Sequence, residues 1–202
     1  MLKIHNLSYA FTDKYLFDDI NLNISSGNCL KVSGANGSGK STLLKNIAGI
    51  LTNYDGEIEL NNQNIKDIPY EISSKIFYLG HKHSLKNNLS VLENIHYDFR
   101  SNLLEVELVL EHLKEFNFHE SFETFIGSLS EGQKKKILLA IFAASKANIY
   151  ILDEPFANLD RNGFSYLSKI IEEKNNNNDV IIYTSHEDKI SFTKELNIDD
   201  YK

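Results

Sequence analysis

Two short stretches of the chain carry residue types that do chemistry on phosphates. The first is Gly34-Ala-Asn-Gly-Ser-Gly39-Lys40-Ser41, with three glycines inside six positions and a lysine and a hydroxyl directly after them. It fits the pattern G-x-x-x-x-G-K-[ST] in full. Glycines let the backbone fold tightly and turn successive N–H groups inward on phosphate oxygens. An apolar run, Leu30 to Ser33, precedes the loop, and a helical pattern opens near Ser41. A chance glycine turn lacks that strand-loop-helix setting, and the helix N-terminus adds positive partial charge at the same place. Lys40 is placed to reach the β- and γ-phosphates, and Ser41 to give Mg²⁺ an oxygen. The stretch predicts a bound nucleoside triphosphate, with Gly34, Ala35, Asn36, Gly37, Ser38, Gly39, Lys40, Ser41 and Thr42 as its cradle.

The second stretch is Ile149-Tyr-Ile-Leu-Asp153-Glu154-Pro155, two carboxylates at the end of an apolar strand. In open α/β sheets ligands bind outside the carboxyl ends of the strands. Asp153 is placed to hold Mg²⁺, directly or through water, and Glu154 to polarise the water that attacks the γ-phosphate. Successive strand residues point in different directions, which predicts that the two acids do separate jobs. A solvated acidic strand end is the plainer reading of such a pair taken alone; beside a phosphate cradle, the catalytic reading is preferred.

The elements that must position these residues are legible in outline. Leu2 and Ile4, then Ile20, Leu22 and Ile24, alternate as in strands with one buried face, and Ile58 and Leu60 continue this after the Asp55-Gly56 turn. Leu30–Ser33, Ile76–Leu79, Ile149–Leu152 and Val180–Thr184 are short apolar runs, as in a parallel sheet covered on both faces. Between about 86 and 128 the pattern is helical, opening on the capping box Ser90-Val-Leu-Glu93 and continuing with Val106, Val109, Leu110 and Leu113. The expected fold is α/β: a mainly parallel sheet, an N-terminal antiparallel β subdomain and an inserted helical subdomain, in a single domain spanning 1–202. Lys174 and the asparagines 175–178 predict a solvated loop.

Composition narrows the classes of function. The 202 residues carry a formal net charge of −7, so no global positive field recruits nucleic acid. Charged residues interrupt every apolar stretch well short of the about 20 residues that a bilayer-spanning helix needs. The N-terminus has no apolar secretory run, which predicts a cytoplasmic protein. Cys29 is the single cysteine, excluding an internal disulfide, and reads as a small buried hydrophobe.

With the cradle and the acidic strand end in place, further short motifs resemble the ATP-binding-cassette (ABC) ATPases over nearly the whole chain. Leu129-Ser130-Glu131-Gly132-Gln133 resembles the family signature Leu-Ser-Gly-Gly-Gln, with Glu131 in place of a glycine. Ser130 and Gln133 also make an S-x-x-Q capping box, so the serine has a local role whatever else it does. Ala157-Asn-Leu-Asp160 is similar to the family's D-loop, and Thr184-Ser-His186-Glu to its switch histidine. The resemblance implies a P-loop NTPase core, ATP and Mg²⁺ as cofactors, and catalysis by Glu154, His186 and Lys40. It implies that Phe11 stacks on adenine, core packing being the alternative. It also implies a head-to-tail dimer in which Ser130, Gly132 and Gln133 of one copy, with Asp160, approach the nucleotide held by the other. Lysines 134–136 either offset Glu131 or form a solvated face. His81 stands where the family carries glutamine. With His83 it has the residue types of a metal or haem ligand pair, so His81 joins Ser41 and Asp153 as a candidate metal residue, although a substituted lid-loop residue is the preferred reading.

The family then implies separate transmembrane subunits as partners, with the cassette peripheral on the cytoplasmic face of the inner membrane and helices 86–128 and the loop around His81 as the docking surface. Non-transport members of the DNA-maintenance type need a long insertion, and only about 90 residues separate Lys40 from Ser130. Those acting on ribosomes generally have two cassettes, and a non-hydrolysing cassette is disfavoured because Lys40, Asp153, Glu154 and His186 are all present. Tyr78-Leu79-Gly80-His81 and Leu92-Glu93-Asn94-Ile95 resemble the ATP-binding subunit of the haem exporter of cytochrome c biogenesis. An ABC transporter for another substrate is the alternative.

Overall fold

The structure, a computed structural model, describes residues 1–12, 14–80, 84–97, 104–185 and 190–202, the side chain of Ser73 excepted. Its centre is a five-stranded parallel sheet of β3 (Cys29–Ser33), β6 (Ile76–Leu79), β7 (Ile149–Leu152), β8 (Val180–Thr184) and β9 (Lys194–Asn197), in the order β6-β7-β8-β3-β9. The four residues of β7 and the five of β8 are all buried, as expected for strands covered on both faces. Alternate residues divide between two cores. Phe77, Leu79, Tyr150, Leu152, Ile181 and Tyr183 join one, and Leu30, Val32, Ile76, Ile149, Ile151, Val180 and Ile182 the other.

The second core is closed by α1 (Lys40–Ile47) and by an antiparallel sheet, β2-β1-β4-β5, made of β1 (Leu2–Phe11), β2 (Lys14–Ile24), β4 (Asp55–Leu60) and β5 (Gln63–Asn64). The alternation seen in the sequence sets the register: Leu2 opposes Ile24, Ile4 opposes Leu22 and Leu7 opposes Ile20. β9 has no sequence signature. Only Leu196 of Lys-Glu-Leu-Asn is buried, and the charges suit an edge strand that must not recruit another.

The first core is closed by helices: α3 (Val91–His96), α4 (Val106–Glu115), α5 (Glu131–Ala144) and α6 (Arg161–Asn176). A short α2 (Pro69–Lys75) precedes β6. Val91, Ile95, Val109, Leu113 and Ile126 share their cluster with Ile137 to Phe142 of α5, so the helices after β6 are anchored on α5. The Ser90 capping box is present: the Ser90 hydroxyl accepts from the Glu93 N–H at 3.2 Å, and the Ser90 N–H donates to the Glu93 carboxylate at 2.7 Å. Removing one such cap costs about 1 kcal/mol. Ser90→Ala is therefore expected to lower unfolding stability by about 1 kcal/mol in urea titration, with an unchanged m-value.

The expected solvated loop at Lys174 is not what forms. α6 runs through Asn176, and Lys174 is only 9% exposed. Its ammonium donates to the Ser145 carbonyl at 2.9 Å and to the Tyr150 hydroxyl at 3.0 Å, bolting the C-terminal end of α5 to β7 and α6. The sequence shows a polar tract, whereas the packing uses the lysine's long stem against the Tyr150 and Phe142 rings. Burial, opposed by Asp179 and Glu173, pulls its pKa from 10.5 down to about 8. Across that interval the folded chain sheds the proton while the unfolded chain keeps it, so folding stability rises with pH. Thermal melting of wild type and Lys174→Met at pH 7.5 and 9.5 is expected to move the difference in favour of wild type at the higher pH.

Candidate active site

The loop 34–39 joins β3 to α1 at the carboxyl edge of the sheet. Two of its glycines are required by close approach as well as by backbone. Gly34 has φ +140°, and a Cβ there would lie 2.6 Å from Ile198 Cγ2; Gly39 has φ +106°, and a Cβ would lie 2.8 Å from Leu16 Cγ. α1 starts without a side-chain cap and without an acid in its first turn. The first N–H groups of a helix have no intrahelical acceptor, so this end offers donors and positive potential together. Lys40 is 8% exposed, and its ammonium donates to the carbonyls of Gly34 and Ala35, both at 2.8 Å. Ala35, Asn36, Gly37 and Ser41 are exposed, Thr42 is half-buried and Ser38 is buried.

The acidic pair follows β7, and β8 lies between β7 and β3. Two strand spacings, about 9.6 Å, therefore separate the cradle's strand from that of the acids. Thr184, the last residue of β8, spans part of the gap: its hydroxyl donates to Asp153 Oδ1 at 2.9 Å and accepts the Glu154 N–H at 2.7 Å. Asp153 is 2% exposed, and its Oδ2 has no hydrogen-bond partner among the described residues. The Ser38 hydroxyl is in the same condition. Buried polar atoms are rarely left unpaired, so these two oxygens mark where a polar ligand belongs. The Tyr78 hydroxyl, buried and unpaired as well, is pushed well above the usual phenol range by burial and by the Asp153 charge.

Neither acid lies on the strand, so strand alternation does not set their directions. β7 ends at Leu152, and Glu154 has φ +48°, in the left-handed region that non-glycine residues seldom visit. That turn, and not the pleat, sets the backbone at the acidic pair. Hard oxygen donors suit Mg²⁺: the exposed Ser41 hydroxyl opens α1, and Asp153 has an unpaired buried oxygen. No cluster of three or more His, Cys, Asp or Glu able to hold a metal occurs among the described residues.

Ser130 and Gln133 form the expected capping box at the start of α5, and the Gln133 amide also donates to Glu120 at 2.8 Å. Glu131 pairs with Lys134 at 2.9 Å, which offsets its charge beside the helix end. The other two lysines are not a solvated face. Lys135 donates to the Glu154 carbonyl at 3.1 Å, and Lys136 pairs with Asp160 at 3.5 Å. Asp160 caps α6 through the Gly163 N–H at 2.7 Å, which, with Lys136, holds its carboxyl below the usual range. Phe11, at the end of β1, is 72% exposed, which removes core packing as its role and leaves its ring free to stack. His186, His81 and His83 lie outside the described residues. Cys29 is buried, and burial pushes its thiol up to about 12, as for an inert hydrophobe.

Two contacts at the site carry no sequence signal. Asp199, in the short turn Ile198–Tyr201, accepts the Ala35 N–H at 2.7 Å and so fixes the first corner of the cradle. Lys202, then the Ala35 N–H, holds the Asp199 carboxyl below its usual range. Lys135 reaches Glu154 across 19 residues. Neither spacing matches a local pattern; only a fold could reveal them.

With that geometry in view, the chain can be set beside known proteins. The family description "ABC transporter" matches residues 17–157. The cytochrome c biogenesis ATP-binding export protein CcmA of Mannheimia succiniciproducens is 32% identical over 204 residues, covering 100% of this chain and 95% of its own. Its namesake in Histophilus somni is 33% identical, with 100% and 94% covered. An ABC transporter ATP-binding protein from Pyrococcus furiosus superposes with a TM-score of 0.82 at 27% identity, over 100% of this chain and 98% of its own. The dimeric ATP-binding cassette MJ0796, in a post-hydrolysis state bound to ADP and Pi, shares the fold at a TM-score of 0.78 and 23% identity, over 93% and 88%. A phosphate cradle, an acidic strand end and a capped signature helix in this order, matched by family and by fold, make the chain an ATP-hydrolysing cassette that belongs to the ABC transporter family.

Proposed function

We propose that this cassette powers an export complex of the cytochrome c biogenesis type, as the nucleotide-binding subunit beside separate membrane subunits. The observation that carries the reading is the match, from end to end of the chain, to ATP-binding export proteins of that process. Haem is the cargo class implied by the Tyr78-Leu79-Gly80-His81 resemblance. No described helix is long and apolar enough to cross a membrane, and a net charge of −7 does not favour nucleic acid, so membrane proteins are the partners sought. The docking surface is assigned to helices 86–128 with the loop around His81, and the cassette to the cytoplasmic face of the inner membrane. In this reading residues 1–202 work as one cassette with that helical insertion.

Two copies close head to tail around two ATP molecules. The supporting feature is that α1 and α5 cover opposite faces of the parallel sheet, α1 in one core and α5 in the other. Each cradle therefore meets a Ser130-Gly132-Gln133 end from a second copy, and Asp160 lies beside that junction. Lys40 leaves the Gly34 and Ala35 carbonyls for the β- and γ-phosphates, and Phe11 stacks on the adenine. Ser41 and Asp153 hold Mg²⁺, which when bound neutralises phosphate charge. Glu154 takes a proton from the attacking water as its oxygen bonds to the γ-phosphorus, and the bond to the β-γ bridging oxygen breaks, giving ADP and phosphate. His186 contacts the γ-phosphate; His81 is assigned to the lid loop and not to the metal. Positioning and charge stabilisation supply most of the rate in such transfers.

The test is to tag the chain, solubilise native membranes and identify the membrane proteins that come with it. Subunits of a cytochrome c biogenesis export complex support the reading; a permease fed by a substrate-binding protein overturns it.

A further inference from the structure

Glu154 is held by its backbone on both sides. Its N–H donates to the Thr184 hydroxyl at 2.7 Å, while its carbonyl accepts the Lys135 ammonium at 3.1 Å and the Ala157 N–H at 3.2 Å. The left-handed φ of +48° at a residue with a long side chain persists only where surrounding contacts hold it. Two of these three contacts come from β8 and from the loop itself. Lys135 alone of the three brings in α5, the helix whose N-terminus is Ser130.

The lysine is committed to that place. Its ammonium donates to the Glu154 carbonyl, a side chain-to-backbone bond that spans from α5 to the acidic loop. Its neighbours on the helix have other partners, Glu131 for Lys134 and Asp160 for Lys136. A cavity of about 210 Å³ opens beside it, bounded by Gly80, Leu138, Ala157 and Asn158. The Lys135 bond is a tether between α5 and the 154–158 loop.

We infer that Lys135 is a positioning residue for hydrolysis: by holding the Glu154 carbonyl it keeps the carboxylate aimed, and it ties the N-terminal end of α5 to the acid of its own chain. The inference rests on Glu154 being the acid that activates water. The signature end of one copy engages nucleotide held by the other, so this tether carries the state of one ATP site towards the acid of the second.

Full-length Lys135→Met and Lys135→Arg, with Glu154→Gln as reference, test it by steady-state hydrolysis of Mg-ATP. Methionine keeps the apolar stem and removes the donor; arginine keeps a donor. Misaiming a catalytic group by about 1 Å can cost 100-fold, so Lys135→Met is expected to lose about 10- to 50-fold in kcat. KM for ATP is expected to stay within about twofold, because the cradle is untouched, and Lys135→Arg to recover most of the rate. Wild-type kcat in Lys135→Met, a KM that rises with the loss of kcat, or an arginine variant as slow as the methionine one would each overturn the inference. If Lys135→Met does not fold, the kcat-against-KM comparison of Lys135→Arg with Lys135→Gln decides: a loss in kcat alone that is larger for glutamine supports the tether, and equal rates refute it. Full turnover by Glu154→Gln defeats the assignment of Glu154, whereas an inactive Glu154→Gln beside a fully active Lys135→Met defeats only the tether.

Discussion

Glu154→Gln is expected to bind ATP within about twofold of wild type and to lose about 10³-fold in turnover, the range of a missing general base. The substitution keeps size and shape and leaves untouched the three backbone bonds that hold the left-handed turn, since all involve main-chain atoms of Glu154. What it removes is the ability to take a proton from water. With hydrolysis blocked, the ATP-closed pair has no route to open, so gel filtration of Glu154→Gln with ATP and Mg²⁺ is expected to show a dimer that disappears when nucleotide is withdrawn. Unchanged hydrolysis would sink the role given to Glu154. A strictly monomeric profile with ATP bound counts against the head-to-tail pair.

The second large effect belongs to Lys40→Ala. A hydrogen bond to a charged group contributes about 1.5–3 kcal/mol, and Lys40 makes two. Exchanging them for phosphate contacts keeps the ammonium satisfied when ATP arrives, so losing it removes phosphate charge compensation without relieving any strain in the loop. ATP affinity in a calorimetric titration is expected to fall by at least about 100-fold, equivalent to about 2.8 kcal/mol. A wild-type isotherm would mean that the glycine loop is not the phosphate cradle. Far-ultraviolet circular dichroism separates this from unfolding, since α1 remains anchored by the buried Leu43, Leu44 and Ile47.

The parts of this site that can be read from the sequence are those whose chemistry is local. Gly34 to Ser41 is one loop and one helix start, and Asp153-Glu154 ends one strand, so spacing alone carries both. Ser90 and Ser130 announce their helices because a cap and its acceptor are three residues apart. The illegible parts bridge the chain. Asp199 meets Ala35 across 164 residues, Lys174 meets Ser145 across 29, and β9 is an edge strand with one buried residue. The lysines at 134–136 mark the boundary between the two cases. Their charge is plain in the sequence, but which side of α5 is buried depends on elements packed around nearly all of it. The left-handed turn at Glu154 is likewise a backbone angle that residue type does not announce.

β3, which carries the cradle at its end, has β8 on one side and β9 on the other. Both neighbours come from residues 180–197, and the prop at Asp199 comes later still. Synthesis runs from the N-terminus, so the glycine loop leaves the ribosome well before residues 180–197, which pair its strand. Until those residues emerge, ATP meets a glycine loop whose strand has neither of its partners. Nucleotide binding then depends on residues 180–199, and fragments that end before residue 180 lack both strands that flank the cradle's own.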